Sequence, residues 1–271
     1  MEQWIAEGNF HYIWMSRVLS VHGSSQLLEK VPTLYHKLKR SNPNMLYVCD
    51  PVLGDNNKFY VPEDVVRVYK EQILSLADIL TPNEYELAWL AGTETIQSLD
   101  DAVASCRLLH QRYHIPLIIL KSLRVPGHAE ELVLLASHYA AAGEQKVQHC
   151  WFPRLEGTFY GTGDSFSALL IGHYCNLASP LCGNLPRSLE LAVSTMQAIL
   201  LKTKELNSHE LRLIQSRELI EHPSATITQV TELTYDAAFV QNKVESLQQA
   251  RPLLAKRLPR NNFVGGLQEA R

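Results

Sequence analysis

The chain has 271 residues, 46% of them apolar and 20% charged, with a formal net charge of −3 at pH 7. That length supports one sizeable core, and the slightly acidic balance lacks the clustered basic face that a nucleic-acid binder needs. Cys49, Cys106, Cys150, Cys175 and Cys182 are odd in number, scattered and without a C-x-x-C pair, which fits a reducing compartment and argues against a disulfide framework or a zinc site.

The chain opens acidic, Met1-Glu2-Gln3-Trp4-Ile5-Ala6-Glu7, without the long apolar core of a signal peptide. No apolar run approaches the ~20 residues that span a bilayer, so a cytoplasmic protein without a membrane partner is expected. Residues 1–20 are rich in aromatics (Trp4, Phe10, Tyr12, Trp14) without a clear period. A helix is expected over residues 26–40, but Pro32 stands inside it, so it either kinks or starts there. Residues 45–49 form an apolar run stopped by Asp50-Pro51, which reads as a buried strand. Pro62 with Glu63 and Asp64 opens a helix, because proline suits a first turn and acids suit the positive dipole end. Residues 77–80 are a second short strand, stopped by Thr81-Pro82.

A helix over residues 83–90 can be closed by Gly92, and Glu86 stands three residues after Asn83 as a capping-box acid. Ser98-x-x-Asp101 starts a helix to Tyr113 in the same way. Residues 116–120 and 131–137 read as strands, and residues 163–176 and 186–204 as two apolar helices. Asn207-x-x-Glu210 suggests the start of a last amphipathic helix. Strands alternating with helices imply a three-layer α/β/α architecture around a mainly parallel sheet covered on both faces. Ligands of such sheets bind beyond the carboxyl ends of the strands, where Asp50, Thr81 and Ser122 fall. Residues 234–271 are basic, with a possible helix over 237–254 interrupted by Pro252, and read as a solvated or loosely docked extension.

Three motifs carry chemistry. Gly161-Thr162-Gly163-Asp164 precedes an apolar helix. Its glycines let the backbone approach a ligand, and the helix N-terminus favours a phosphate or a developing anion. Asp164 is placed to accept a proton from an attacking hydroxyl. The plainer reading of these four residues is a glycine turn with a helix cap. Asp50-Pro51-Val52-Leu53-Gly54-Asp55 places two carboxylates at a strand end, where they suit a cation, or form an ordinary loop exit. Thr81-Pro82-Asn83-Glu84-Tyr85-Glu86 repeats the arrangement, with Thr81 or Asn83 as a plain cap the alternative. All three at strand ends or helix starts, in this order, exceed what caps alone explain.

The ordered set DPVLGD, YVPED, TPNEYE and GTGDSF resembles the pyridoxal kinase family of the ribokinase-like superfamily, over residues 23 to about 233. Related hydroxymethylpyrimidine kinases usually carry cysteine at the position of Asp164, and sugar kinases usually carry alanine at that of Thr162. The resemblance implies ATP-dependent phosphorylation of the 5′-hydroxymethyl group of pyridoxal, pyridoxine or pyridoxamine, by a phosphotransferase that is typically a homodimer. It implies Asp164 as catalytic base and the amides of Gly161, Thr162 and Gly163 as the anion hole. Asp55 would support Mg²⁺ and ATP, with Glu86 near the metal and phosphates. Asp50 and Thr81 would belong to a monovalent-cation site for K⁺ or Na⁺. Tyr60, Asn83 and Ser122 would line the ATP site. Phosphoryl transfer asks mainly for positioning and charge neutralisation, which these residue types supply.

The chain departs from that family in two ways. The family's N-terminal block, which supplies central strands and most ring contacts, has no counterpart in residues 1–22, so a truncated fold with an incomplete ring pocket is expected. Lys121 stands where the family usually has threonine beside the cation site, and its amine is expected either in solvent or in that site. The organisation expected is an atypical segment 1–22, a catalytic domain 23–233 and an extension 234–271. Two other functions stay open: a kinase for another hydroxymethyl heterocycle, and a catalytically silent isoform that binds nucleotide or a full-length subunit.

Overall fold

The computed structural model describes residues 12–15, 28–55, 58–59, 61–93, 95–139, 144–174, 183–225 and 228–254. Strand β1 (Tyr12–Met15) is followed by helix α1 (Val31–Ser41) and strand β2 (Leu46–Cys49). The Pro32 question is settled by position: proline stands in the first turn of α1, where its missing N–H has no partner to lose. A hairpin, β3 (Gly54–Asp55) and β4 (Lys58–Phe59), leads to α2 (Glu63–Val68), which widens into a π turn over Tyr69–Ile73 and tightens into a 3-10 turn over Leu74–Leu76. Then come β5 (Ile79–Leu80), α3 (Glu84–Ala91), α4 (Leu99–Tyr113) and β6 (Leu117–Leu123).

Strands β1, β2, β5 and β6 lie side by side and parallel. Beyond β6 the sheet changes character. Strands β7 (Glu131–Tyr139), β8 (Gln145–Pro153) and β9 (Thr231–Glu232) continue it antiparallel, and β8 and β9 were not among the expected strands. Short links of 123–131 and 139–145 leave no room for the crossover helix that a parallel return requires. The motif-bearing strands all belong to the parallel half.

Helices α5 (Thr162–Tyr174) and α6 (Leu185–Glu205), short α7 (Arg217–Glu221) and α8 (Ala237–Leu254) complete the chain. Side chains alternate between two cores, as period-2 strands dictate. Tyr47, Cys49, Leu80, Ile118, Leu120, Val133 and Leu135 face the core with α2, α3 and α4, whereas Val48, Ile79, Leu117, Ile119, Leu134 and Ala136 face α5 and α6. This is the three-layer arrangement, and each fully buried Leu or Ile contributes roughly 1.5–3 kcal/mol.

Three expectations need correction. No helix starts at Asn207, because Asn207 ends α6 instead. Its φ is +48°, and the Asn207 and Ser208 amides close on the Lys204 and Thr203 carbonyls, which is a Schellman stop. The segment after residue 234 is not loose over 237–249, since Val240, Val244 and Leu247 are buried against the core that contains α4. Tyr12–Met15, inside the segment without a readable period, pairs with Leu46–Cys49 as a sheet strand. Among the described residues no helix is long and apolar enough to cross a membrane.

Candidate active site

The site lies at the carboxyl ends of β2, β5 and β6. Cap chemistry fixes the second motif first. Asn83 accepts from the Glu86 amide at 2.8 Å while Glu86 accepts from the Asn83 amide at 2.8 Å, a reciprocal capping box. The other Glu86 oxygen accepts from the Leu53 amide at 3.0 Å, and the Asn83 side-chain N–H donates to the Gly54 carbonyl at 2.8 Å. So Asn83 and Glu86 bolt the DPVLGD turn onto the start of α3. Burial pushes the Glu86 carboxyl up to about 8; Lys121 opposes this and Asp50 adds to it. Gly54 is required by packing, because a Cβ there would run into the Lys58 carbonyl and the Tyr85 ring.

Asp50 and Thr81 do come together, and two further residues join them. Asp50 is 1% exposed. Its Oδ1 accepts from Lys121 Nζ at 2.7 Å and its Oδ2 from Ser167 Oγ at 3.1 Å. Ser167 Oγ also lies 3.3 Å from Thr81 Oγ1. The solvent alternative for Lys121 is therefore wrong, with only 13% of its side chain exposed. A β-bulge aims it. Leu120 pairs with Leu135 and Leu123 with Val133, so β6 carries one residue more than β7 across this interval. Such bulges re-aim side chains at strand ends. The Lys121 amide is satisfied by the Pro82 carbonyl at 3.0 Å. Burial alone lowers the Lys121 pKa, but the Asp50 and Glu86 carboxylates, with Asp164 behind them, hold it above the ordinary lysine value.

The third motif faces this cluster. Gly161 has φ +84°, a conformation glycine adopts freely, and α5 begins at Thr162. Lys121 Nζ lies against Gly163, 3.2 Å from where a Cβ would stand. Asp164 is half-buried in the first turn of α5, beside the free amides of the helix start. The turn is buttressed from behind, where the Tyr160 amide donates to the His209 carbonyl at 2.9 Å and a ring nitrogen of His209 lies 2.9 Å from the Thr158 carbonyl.

Asp55 stands apart from the buried cluster, exposed on the hairpin, where its charge adds to the Glu84 environment. Ser122 is half-buried in the bulge, and Tyr60 lies outside the described residues. Among the described residues no three His, Cys, Asp or Glu side chains converge as a metal cage. Magnesium needs only one or two carboxylates beside water and phosphate oxygens, so Asp55 with Glu84 nearby fits it. A free monovalent cation between Asp50 and Thr81 does not fit. Each Asp50 oxygen already accepts a hydrogen bond, one of them from the ammonium, and a second cation about 4 Å from that ammonium would be repelled by about 4 kcal/mol at an effective dielectric near 20.

Ser167 was missed by sequence reasoning. Its one signal is a hydroxyl on the buried face of an otherwise apolar helix, one turn after Asp164.

The chain matches the phosphomethylpyrimidine kinase family model over residues 26–210. It is 37% identical over 216 residues to pyridoxal kinase of Arabidopsis thaliana, covering 76% of this chain and 67% of the relative. To pyridoxal kinase of Homo sapiens it is 32% identical over 222 residues, covering 74% and 70%. The chain thus spans about two thirds of the length of such relatives. The ribokinase-like fold matches pyridoxal kinase from Leishmania donovani in complex with ADP and pyridoxine, with a TM-score of 0.75, 26% identity, and coverage of 86% of this chain and 78% of that one. Motif order, fold and similarity converge on one conclusion: the chain belongs to the pyridoxal kinase family.

Proposed function

We propose that the chain transfers the γ-phosphoryl group of ATP to the 5′-hydroxymethyl group of pyridoxal, pyridoxine or pyridoxamine, giving the 5′-phosphate. The observation that carries this reading is the half-buried Asp164 in the first turn of α5, facing a buried ammonium across Gly163. Asp164 takes the hydroxyl proton as the oxygen attacks. The amides of Gly161, Thr162 and Gly163 receive the charge on the transferring group. Lys121 adds a fixed positive charge behind them. Asp55 would hold Mg²⁺, which when bound would supply charge neutralisation on the nucleotide phosphates. Thr81 and Asn83 act by shaping the strand-end loops, and Glu86 acts as their clamp rather than as a metal ligand. Ser122 and Tyr60 complete the nucleotide side.

A second reading rests on the family model that matches residues 26–210, and takes a hydroxymethylpyrimidine as acceptor. Incubating the purified chain with MgATP and each vitamer, or a hydroxymethylpyrimidine, separates the two by the mass of the phosphorylated product. Phosphorylation of the vitamers alone supports the first reading; phosphorylation of the pyrimidine alone replaces it. A homodimer and a cytoplasmic location go with the first reading on family resemblance. Light scattering behind size exclusion tests the dimer, and a fluorescent fusion tests the location.

A further inference from the structure

We propose that the Lys121 ammonium is the fixed cation of this site, so that the chain organises Asp50, Thr81 and the Gly161–Asp164 turn without binding a free monovalent cation. The proposal rests on the phosphoryl-transfer reading for the meaning of the site, but its geometry stands alone. The ammonium is 2.7 Å from Asp50 Oδ1, while Ser167 takes Oδ2 and bridges to Thr81. Its other side abuts Gly163, within the field of Asp164. A potassium ion requires several oxygen ligands in place of its water shell. Here the two groups that would lead such a shell, Asp50 and Thr81, are already linked through Ser167, and Asp50 is also paired with Lys121. An ammonium resembles a bare potassium ion in charge and size, but it is tethered by its own strand. The bulge in β6 and the Lys121–Pro82 backbone bond hold the base of the tether.

Occupancy by lysine makes a specific demand. A bound ion dissociates and is replaced according to its concentration, whereas a tethered charge is always present. Potassium-selective stabilisation should therefore be absent from the parent chain and created by Lys121→Thr, which removes the ammonium and restores an oxygen ligand.

The experiment compares thermal melts of the purified full chain and of Lys121→Thr in potassium, sodium and choline chloride at matched ionic strength. It also measures ADP binding with Mg²⁺ by calorimetry. The parent should melt at one temperature in all three salts and hold its ADP affinity within about twofold. Lys121→Thr should melt lower in choline chloride and rise with potassium in a saturable way. Its ADP affinity should fall on the order of tenfold or more without potassium and recover with it. A potassium-selective shift in the parent overturns the proposal. So does a folded Lys121→Thr with parental ADP affinity in choline chloride. If that variant does not fold, the parent melts decide by themselves. A parent that binds no ADP overturns the phosphoryl-transfer reading, while the nucleotide-free melts still test Lys121.

Discussion

Two buried polar networks sit at opposite ends of strand β6, and they are built differently. At its carboxyl end, Lys121, Asp50, Ser167 and Thr81 form a charged cluster whose members come from β6, the β2 exit, α5 and the β5 exit. At its amino end the buried members, Gln145, Ser137 and His110, carry no formal charge, and the half-buried Arg107 guanidinium caps the chain from its rim. Arg107 Nε donates to Gln145 at 2.7 Å, Gln145 donates to Ser137 Oγ at 2.8 Å, Ser137 lies 2.8 Å from His110 Nε2, and His110 Nδ1 reaches the Ile115 carbonyl at 2.5 Å. Every link has a donor and an acceptor if His110 is neutral with its proton on Nδ1. Tyr235 ties the start of the C-terminal segment to the same network through the Gln145 carbonyl at 3.1 Å. The relay fixes α4, β7, β8 and the segment that leads into α8 to one another. The charged cluster faces the glycine turn, where a ligand's charge must be met. The charged cluster buries both an ammonium and a carboxylate, whereas the amino-end relay keeps its one charge, on Arg107, at the rim and holds the fold with neutral groups inside, at lower desolvation cost.

Breaking the charged cluster should cost most. Asp50→Ala leaves Lys121 buried and unpaired, so stability should fall by about 3–5 kcal/mol in urea unfolding. A loss near zero would mean that the pair is solvated. The neutral relay should respond to acid. Burial lowers the His110 pKa from 6.5 to about 4, so the unfolded chain binds a proton that the folded chain refuses. Its contribution is therefore complete above pH ~6.5 and is lost as pH falls from there towards 4, by roughly 3 kcal/mol. His110→Gln should flatten that part of the stability profile relative to the parent; identical slopes would contradict the assignment.

A smaller change sharpens the contrast. Ser167→Ala removes a hydroxyl donor to a carboxylate and should cost about 2 kcal/mol by the same unfolding measurement. Smaller still, Val240→Ala removes two buried methyl groups' worth of contact from α8 and should cost about 1.5 kcal/mol. No loss there would return residues 237–249 to the solvated tail expected from their charge.

Local chemistry was legible in the sequence, and assembly was less so. The Asn83–Glu86 box, the Ser98–Asp101 cap and the Gly92 stop depend on residues within one turn, and each formed as spacing alone implied. The glycine turn before α5 was legible because few residues other than glycine tolerate its backbone. The Lys121–Asp50 pair spans 71 residues and the Ser167–Asp50 bond spans 117, so neither leaves a periodic trace. Glu86 was read both as cap and as metal neighbour; the cap formed, and the Leu53 amide on its second oxygen, 33 residues away, was not legible. The antiparallel half was hidden because Gln145–Pro153 carries polar residues on both faces. Gln145 itself is buried in the neutral relay.

The most direct test of the account is turnover by Asp164→Asn against the parent, with MgATP and pyridoxal, alongside ADP binding to both. The substitution keeps the shape of the side chain and removes its basicity. Pyridoxal 5′-phosphate formation should fall by ~10²–10⁴-fold while ADP affinity is unchanged, because the amides, the Lys121 charge and the hairpin remain in place. Parental turnover by Asp164→Asn would remove Asp164 as the base and contradict the account of this site.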